Sequence, residues 1–173
     1  MDNSFEEKFS TNAQKAFREA QRISSRYGCT YIGSEHFLYG LLSASEGVAK
    51  TILNNAGVDL KRYAYYLEKS VDKTCNIVGL TPRAKNMLMR AMEFAANSRS
   101  SFTISTEHLL LSILSVGDSL AVRILKQLGT DIDAMIEQLE EKIEPESDYA
   151  EEKEQPAQQK TAAHLKELSE FGL

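Results

Sequence analysis

Five residues, Ile32-Gly33-Ser34-Glu35-His36, return in the same chain as Ile104-Ser105-Thr106-Glu107-His108, 72 positions later. The likeness continues on both sides. Phe37-Leu38-Tyr39-Gly40-Leu41-Leu42 is matched by Leu109-Leu110-Leu111-Ser112-Ile113-Leu114, and Ala49, Ile52, Leu53, Gly57 and Asp59 by Ala121, Ile124, Leu125, Gly129 and Asp131. Upstream, Ser10-Thr11-Asn12-Ala13-Gln14-Lys15 aligns with Thr81-Pro82-Arg83-Ala84-Lys85-Asn86 at an offset of 71, so one residue has been gained or lost in the loop between. A duplication on this scale constrains the fold more than any local propensity. Two copies are too few for a solenoid, which needs three or more repeats to bury a continuous core. The chain is expected to pair two similar halves about a pseudo-twofold axis.

The pattern inside each copy is helical. Ala13, Ala16, Phe17, Ala20 and Ile23 recur at three- and four-residue steps, the spacing of one buried face, which predicts a helix from Ser10 to about Tyr27. Ser10 is its expected N-cap, and Gly28 its stop. Ser34 is read as the cap of a second helix, apolar on most sides and therefore central; a third runs from about Gly47 to Asn55, and Asp59 caps a fourth. The second copy repeats the plan, with Thr81 as cap and Pro82 in the first turn, then Thr106, Asp118 and Asp131 as the later starts. Asp72 to Gly79 reads as a linker, and no segment predicts a strand. The expected fold is all-α, about eight helices in two pseudo-twofold-related four-helix repeats (about 5–75 and 80–143) within a domain of residues 1–143, followed by a flexible acidic linker.

Charge marks the end of that domain. Residues 1–143 carry 17 acidic and 17 basic side chains, whereas 144–173 carry eight and three, so the net charge of −5 belongs to the tail. Residues 144–160 lack large aliphatics and read as a linker; 161–173 recover apolar character at Leu165, Leu168 and Phe171. No basic stripe suggests nucleic acid, and no basic amphipathic face or long apolar run suggests a membrane. Residues 1–8 do not resemble a signal peptide, and Cys29 and Cys75 read as reduced thiols, so a cytoplasmic protein is expected.

The chain has no Gly-x-Ser-x-Gly elbow and no phosphate loop of the Gly-x-x-x-x-Gly-Lys-Ser/Thr kind. The Glu-His doublets are poor metal ligands, because adjacent helical residues point about 100° apart. His36 and His108 read as buried rings bonding locally in the first turn. Glu35 and Glu107 have two readings. Each can serve as a partner for the positive end of its helix, or as a rigidly held carboxylate that takes a guanidinium through two parallel hydrogen bonds. Ser10 and Thr81 open the other long helices, and free N–H groups at a helix start bind anions. Together these features suit a ligand that is cationic at one end and anionic at the other.

These motifs, in this order, resemble the duplicated N-terminal domain of the Clp ATPases (the Hsp100 unfoldases), most closely the ClpC type. The resemblance rests on Ile32-Gly33-Ser34-Glu35-His36 with Gly40-Leu41-Leu42, on Leu80-Thr81-Pro82-Arg83-Ala84-Lys85 and on Ile104-Ser105-Thr106-Glu107-His108, and covers about residues 5–143. The end, His164 to Gly172, is similar to the lead into a first AAA+ module, where ATP and Mg would bind; no cofactor is implied within the present chain. The resemblance implies a monomeric module, not itself an enzyme. It would receive protein substrates, arginine-phosphorylated ones among them, and adaptor proteins of the MecA type, for delivery through the ATPase ring to the ClpP protease. Carried over residue by residue, Glu35 and Glu107 match guanidinium-binding glutamates, and Ser10 and Thr81 match hydroxyl residues near the phosphate. Phe5, Phe9, Leu80 and Lys85 match a neighbouring surface where peptides and cyclic-peptide inhibitors dock.

The chain departs from the family pattern in four places. Ser10 stands where Thr is usual, Ser105 replaces a Gly, residues 100–103 differ from the usual loop, and Asn12 stands where Arg is common although Arg83 is retained. These departures predict pockets of unequal affinity. Two other readings stay open. One keeps the family but gives binding to an apolar groove near Phe5, Phe9 and Leu80 without phosphoarginine. The other makes Glu35 and Glu107 an acid/base pair, which would place them about 5–5.5 Å or roughly 6.5–9.5 Å apart.

Overall fold

A computed structural model describes residues 4–43, 46–72, 74–98 and 103–143, without the side chains of Ser4 and Phe5. The chain divides into units 1–143 and 144–173, and every described residue belongs to the first. The expected linker and final segment therefore lie outside the described residues, as does most of the loop at 99–103.

A single turn, α1 (Ser4–Glu7), precedes two sets of four helices. The first set is α2 (Thr11–Arg26), α3 (Ser34–Ser43), α4 (Val48–Asn55) and α5 (Leu60–Ser70). The second is α6 (Pro82–Ala96), α7 (Thr106–Ser115), α8 (Leu120–Gln127) and α9 (Ile132–Ile143). The all-α double repeat is the observed fold. Four of its caps form where the sequence places them. Ser10 Oγ accepts from the Ala13 N–H at 3.1 Å, and Thr81 Oγ1 from Ala84 at 3.0 Å. Asp59 and Asp131 accept from Arg62 and Ala134, each at 3.1 Å.

Other helix starts differ from expectation. Ser34 and Thr106 are first helical residues, not caps: the carbonyl of Gly33 accepts from the N–H groups of His36 and Phe37, and that of Ser105 from His108 and Leu109. The reciprocal bond comes from imidazole. His36 Nδ1 accepts from the Gly33 N–H and His108 Nδ1 from the Ser105 N–H, both at 2.9 Å, which is the capping-box return usually made by Glu or Gln. At α8 the cap is Ser119, whose Oγ accepts from Val122 at 3.2 Å, rather than Asp118.

The absence of strands expected from the sequence is also corrected. β1 (Tyr31–Ile32) pairs in parallel with β2 (Gly79–Leu80), Tyr31 opposite Gly79 and Ile32 opposite Leu80. A parallel bridge joins Phe9 to Ile104, the second-copy counterpart of Ile32. Each repeat thus holds the lead into the other repeat's first long helix. Two residues are too few to show the period-2 alternation that would announce a strand.

One hydrophobic cluster runs through both halves. The two central helices are nearly enveloped: Phe37, Leu38, Leu41 and Leu42 of α3 are buried, as are Leu109, Leu110, Ile113 and Leu114 of α7. Helix α2 packs most extensively on α3. A Cβ on Gly40 would lie 2.1 Å from the Ala16 carbonyl oxygen, so only glycine permits that approach. In the second half Ser112 replaces Gly40, its hydroxyl folded back to the Leu109 carbonyl at 2.8 Å, and Met87 replaces Ala16. No single helix among the described residues is long and apolar enough to cross a membrane.

Candidate functional site

The crossed ladder decides which helix starts meet. The Thr81 N–H donates to the Ile32 carbonyl at 3.1 Å, which brings the first turn of α6 against the start of α3. Ser34, Glu35, Thr81, Arg83 and Asn86 line an open cavity of about 650 Å³ there, rimmed by Asp118, Leu120 and Arg123 at the start of α8. In the other half the Ser10 N–H donates to the Ile104 carbonyl at 2.8 Å, which sets Ser10 beside the start of α7 and its Glu107. The sequence left open which hydroxyl serves which glutamate. The fold pairs Glu35 with Thr81, and Glu107 with Ser10, each pair spanning the two repeats.

Glu35 is 9% exposed, although it is a carboxylate. Its side chain lies back over Gly33, where an added Cβ would fall 2.5 Å from Oε1. Burial raises its pKa, opposed by its own backbone N–H and by the field of Arg83. Among the described residues no cation lies within ion-pair distance of it. Its backbone is anchored from below: the fully buried Tyr63 donates its hydroxyl to the Glu35 carbonyl at 2.8 Å.

The rest of the lining sets Arg83, Arg123 and the hydroxyls of Ser34 and Thr81 beside Asp118 and the apolar Pro82, Val116 and Leu120. Arg83 reaches the Asp118 carbonyl at 3.4 Å, and Arg123 pairs with the Asp118 carboxylate at 3.2 Å. Each guanidinium has five N–H donors, so most remain for a ligand. Thr81 Oγ1 accepts from Ala84, which leaves its own proton to donate. Ser34 is 1% exposed and its Oγ has no partner among the described residues. Its counterpart Thr106 accepts from the Ala49 N–H at 3.3 Å, because Gly47 leaves α4 without a side-chain cap; Ser119 caps α8 and makes that service from Ser34 unnecessary. The cavity can therefore offer a sheltered carboxylate to a guanidinium and several N–H and O–H donors to an anion.

Glu107 is half-buried and does not line this cavity. Phe9, expected on a docking surface, is 4% exposed; its ring stands edge-on to Phe17 at 5.8 Å between centroids and belongs to the core. This packing of the N-terminal arm follows from the Phe9–Ile104 bridge. Leu80 is half-buried, Lys85 is exposed, and the Phe5 side chain lies outside the described residues. Arg123 and Asp118 were not anticipated in the site. The signal available was the exchange of Thr51 in the first copy for Arg123 in the second. His36 and His108 are fully buried, and desolvation pushes each down to about 4, so their rings are neutral cap partners.

Residues 8–80 and 79–171 each match the family described as the Clp repeat (R) N-terminal domain. Over 129 residues the chain is 34% identical to the chloroplastic chaperone protein ClpC1 of Arabidopsis thaliana, covering 72% of this chain and 14% of that one. It therefore spans a small part of the length of the curated relatives it matches. Its fold is that of the N-terminal domain of the chaperone ClpD from Arabidopsis thaliana, with a TM-score of 0.64 at 19% identity over 80% of this chain and 99% of that one. A ClpV N-domain solved in complex with a VipB peptide superposes with a TM-score of 0.63 at 13% identity, covering 81% and 89%.

Proposed function

The chain belongs to the family of Clp repeat N-terminal domains, and from that membership we propose that it receives substrates for a ClpC-type unfoldase, recognising arginine-phosphorylated proteins through glutamates at helix starts. The observation that carries this reading is the Glu35 cavity. It joins a buried carboxylate, without an ion-pair partner among the described residues, to Thr81, Arg83 and Arg123 within one space. A phosphorylated guanidinium is cationic where it would meet Glu35 and anionic where it would meet the donors. A phosphoserine reader, by contrast, uses arginine clusters, and a carboxylate at the phosphate would repel its ligand. The ATPase modules, delivery to ClpP and a cytoplasmic setting belong to the same proposal for the longer protein.

Calorimetric titration with phosphoarginine tests it. The parent chain should give saturable heat that the Glu35→Gln, Glu107→Gln double variant loses, and phosphoserine should bind far more weakly. Equal affinity for phosphoserine would sink the reading.

A second reading, capture of adaptor proteins of the MecA type or of unfolded segments without the modification, is favoured by one feature. Val78 is 81% exposed and Ile77 38% exposed, next to the half-buried Leu80. A peptide-bound ClpV N-domain of the same fold makes such capture reasonable. Val78→Asp should then abolish adaptor binding while leaving the phosphoarginine titration intact. Phe9→Ala is no test of a surface, because it would open the core.

A further inference from the structure

We propose that the two halves are unequal, that the Glu35 cavity is the one that takes the phosphorylated guanidinium in this chain, and that the missing side chain of Gly33 decides it. The inference rests on the function proposed above and concerns how that site is divided between the copies.

Three differences point the same way. The first is the seat of the carboxylate. Glu35 lies where a Cβ on residue 33 would approach Oε1 to 2.5 Å; the counterpart of Gly33 is Ser105, whose Cβ denies Glu107 the same position. Glu35 is accordingly 9% exposed and Glu107 half-buried. A carboxylate already stripped of water meets a guanidinium without a further desolvation cost, and the attraction acts in a low dielectric. Glu107 must first shed its water.

The second difference is charge at the anionic end. Crossing of the ladder sends Arg83 to Glu35 and leaves Asn12 with Glu107, and Arg123 near Glu35 corresponds to Thr51. The Glu35 cavity sets two arginines against Glu35 and Asp118. The counterpart positions set Lys15 alone against Glu107 and Glu46, and lysine lacks the planar fork that grips a phosphoryl group in two places. The third difference is the hydroxyl of residue 34. It is buried, without a partner and at the cavity wall, whereas the equivalent Thr106 is occupied by Ala49.

Calorimetric titration of the whole chain with phosphoarginine separates the possibilities. One site per chain is expected, and Glu35→Gln alone should weaken it roughly tenfold or more. The single variant Ser105→Gly should raise the stoichiometry from one to two. Two equal sites in the parent, or one full-strength site remaining in Glu35→Gln, would overturn the inequality and leave the proposed function standing. A Ser105→Gly variant that folds with an unchanged melting temperature and still binds one ligand would remove Gly33 as the deciding residue. No saturable binding to the parent would overturn the proposed function and this inference together.

Discussion

His36 and His108 each spend Nδ1 on a backbone N–H, and burial holds both near a pKa of about 4, against an ordinary 6.5. Between those values the unfolded chain binds protons that the folded chain refuses. Stability is therefore full above pH 6.5 and falls as pH drops toward 4, by up to about 1.4 kcal/mol per pH unit for each histidine. Urea unfolding midpoints between pH 7 and pH 4.5 should show that slope. The double variant His36→Gln, His108→Gln should flatten it, since Gln at this position can return the same cap bond without titrating. Glu35 works in the opposite sense. Its carboxyl is raised, so the folded state keeps a proton that the unfolded chain releases above 4.5, and stability from this group declines as pH rises. Glu35→Gln should stabilise the chain at pH 7 and lose that advantage in acid. The doublets themselves were plain in the sequence because they occur twice. The seat over Gly33 was not, because a missing Cβ matters only once the neighbouring carboxylate is placed.

At the scale of elements, the helices were legible from the apolar period and the caps, both of which act within a few residues. The exceptions are Ser34, Thr106 and Asp118, and of these Thr106 acts across the repeat boundary. Thr106 looks like the cap of its own helix, but its Oγ1 serves α4, where Gly47 provides none. Thr106→Val should destabilise by about 1 kcal/mol, the usual loss of a cap. Ser34→Ala, at the matching position, should cost nothing or stabilise slightly, because it removes a buried hydroxyl with no partner. Denaturant midpoints of the two variants would show the contrast. Equal losses would mean that Ser34 has a partner in solution.

For the whole molecule, the two bridges exchange support between the repeats. Ile32 holds the lead into α6, and Ile104 holds the lead into α2. Neither half carries its own version of this contact, and α3, α4 and α7 share one core. Fragments 1–75 and 80–143 should therefore lack a cooperative melt alone and regain helical circular dichroism when mixed. A sharp melt of either fragment alone would mean that the halves are autonomous.

The sequence by itself determined the all-α class, the two copies and most helix starts, because those signals are local and each is written twice. Only the tertiary structure decided that Thr81 stands with Glu35 and Ser10 with Glu107. It also decided that Phe9 is core and that Arg123 joins the cavity. The parallel pairs join Tyr31 to Gly79 and Phe9 to Ile104, positions far apart in the chain and too short to carry a strand pattern. Such pairing is chosen by the packing of the two halves against each other, and that packing leaves no local trace in the order of residues.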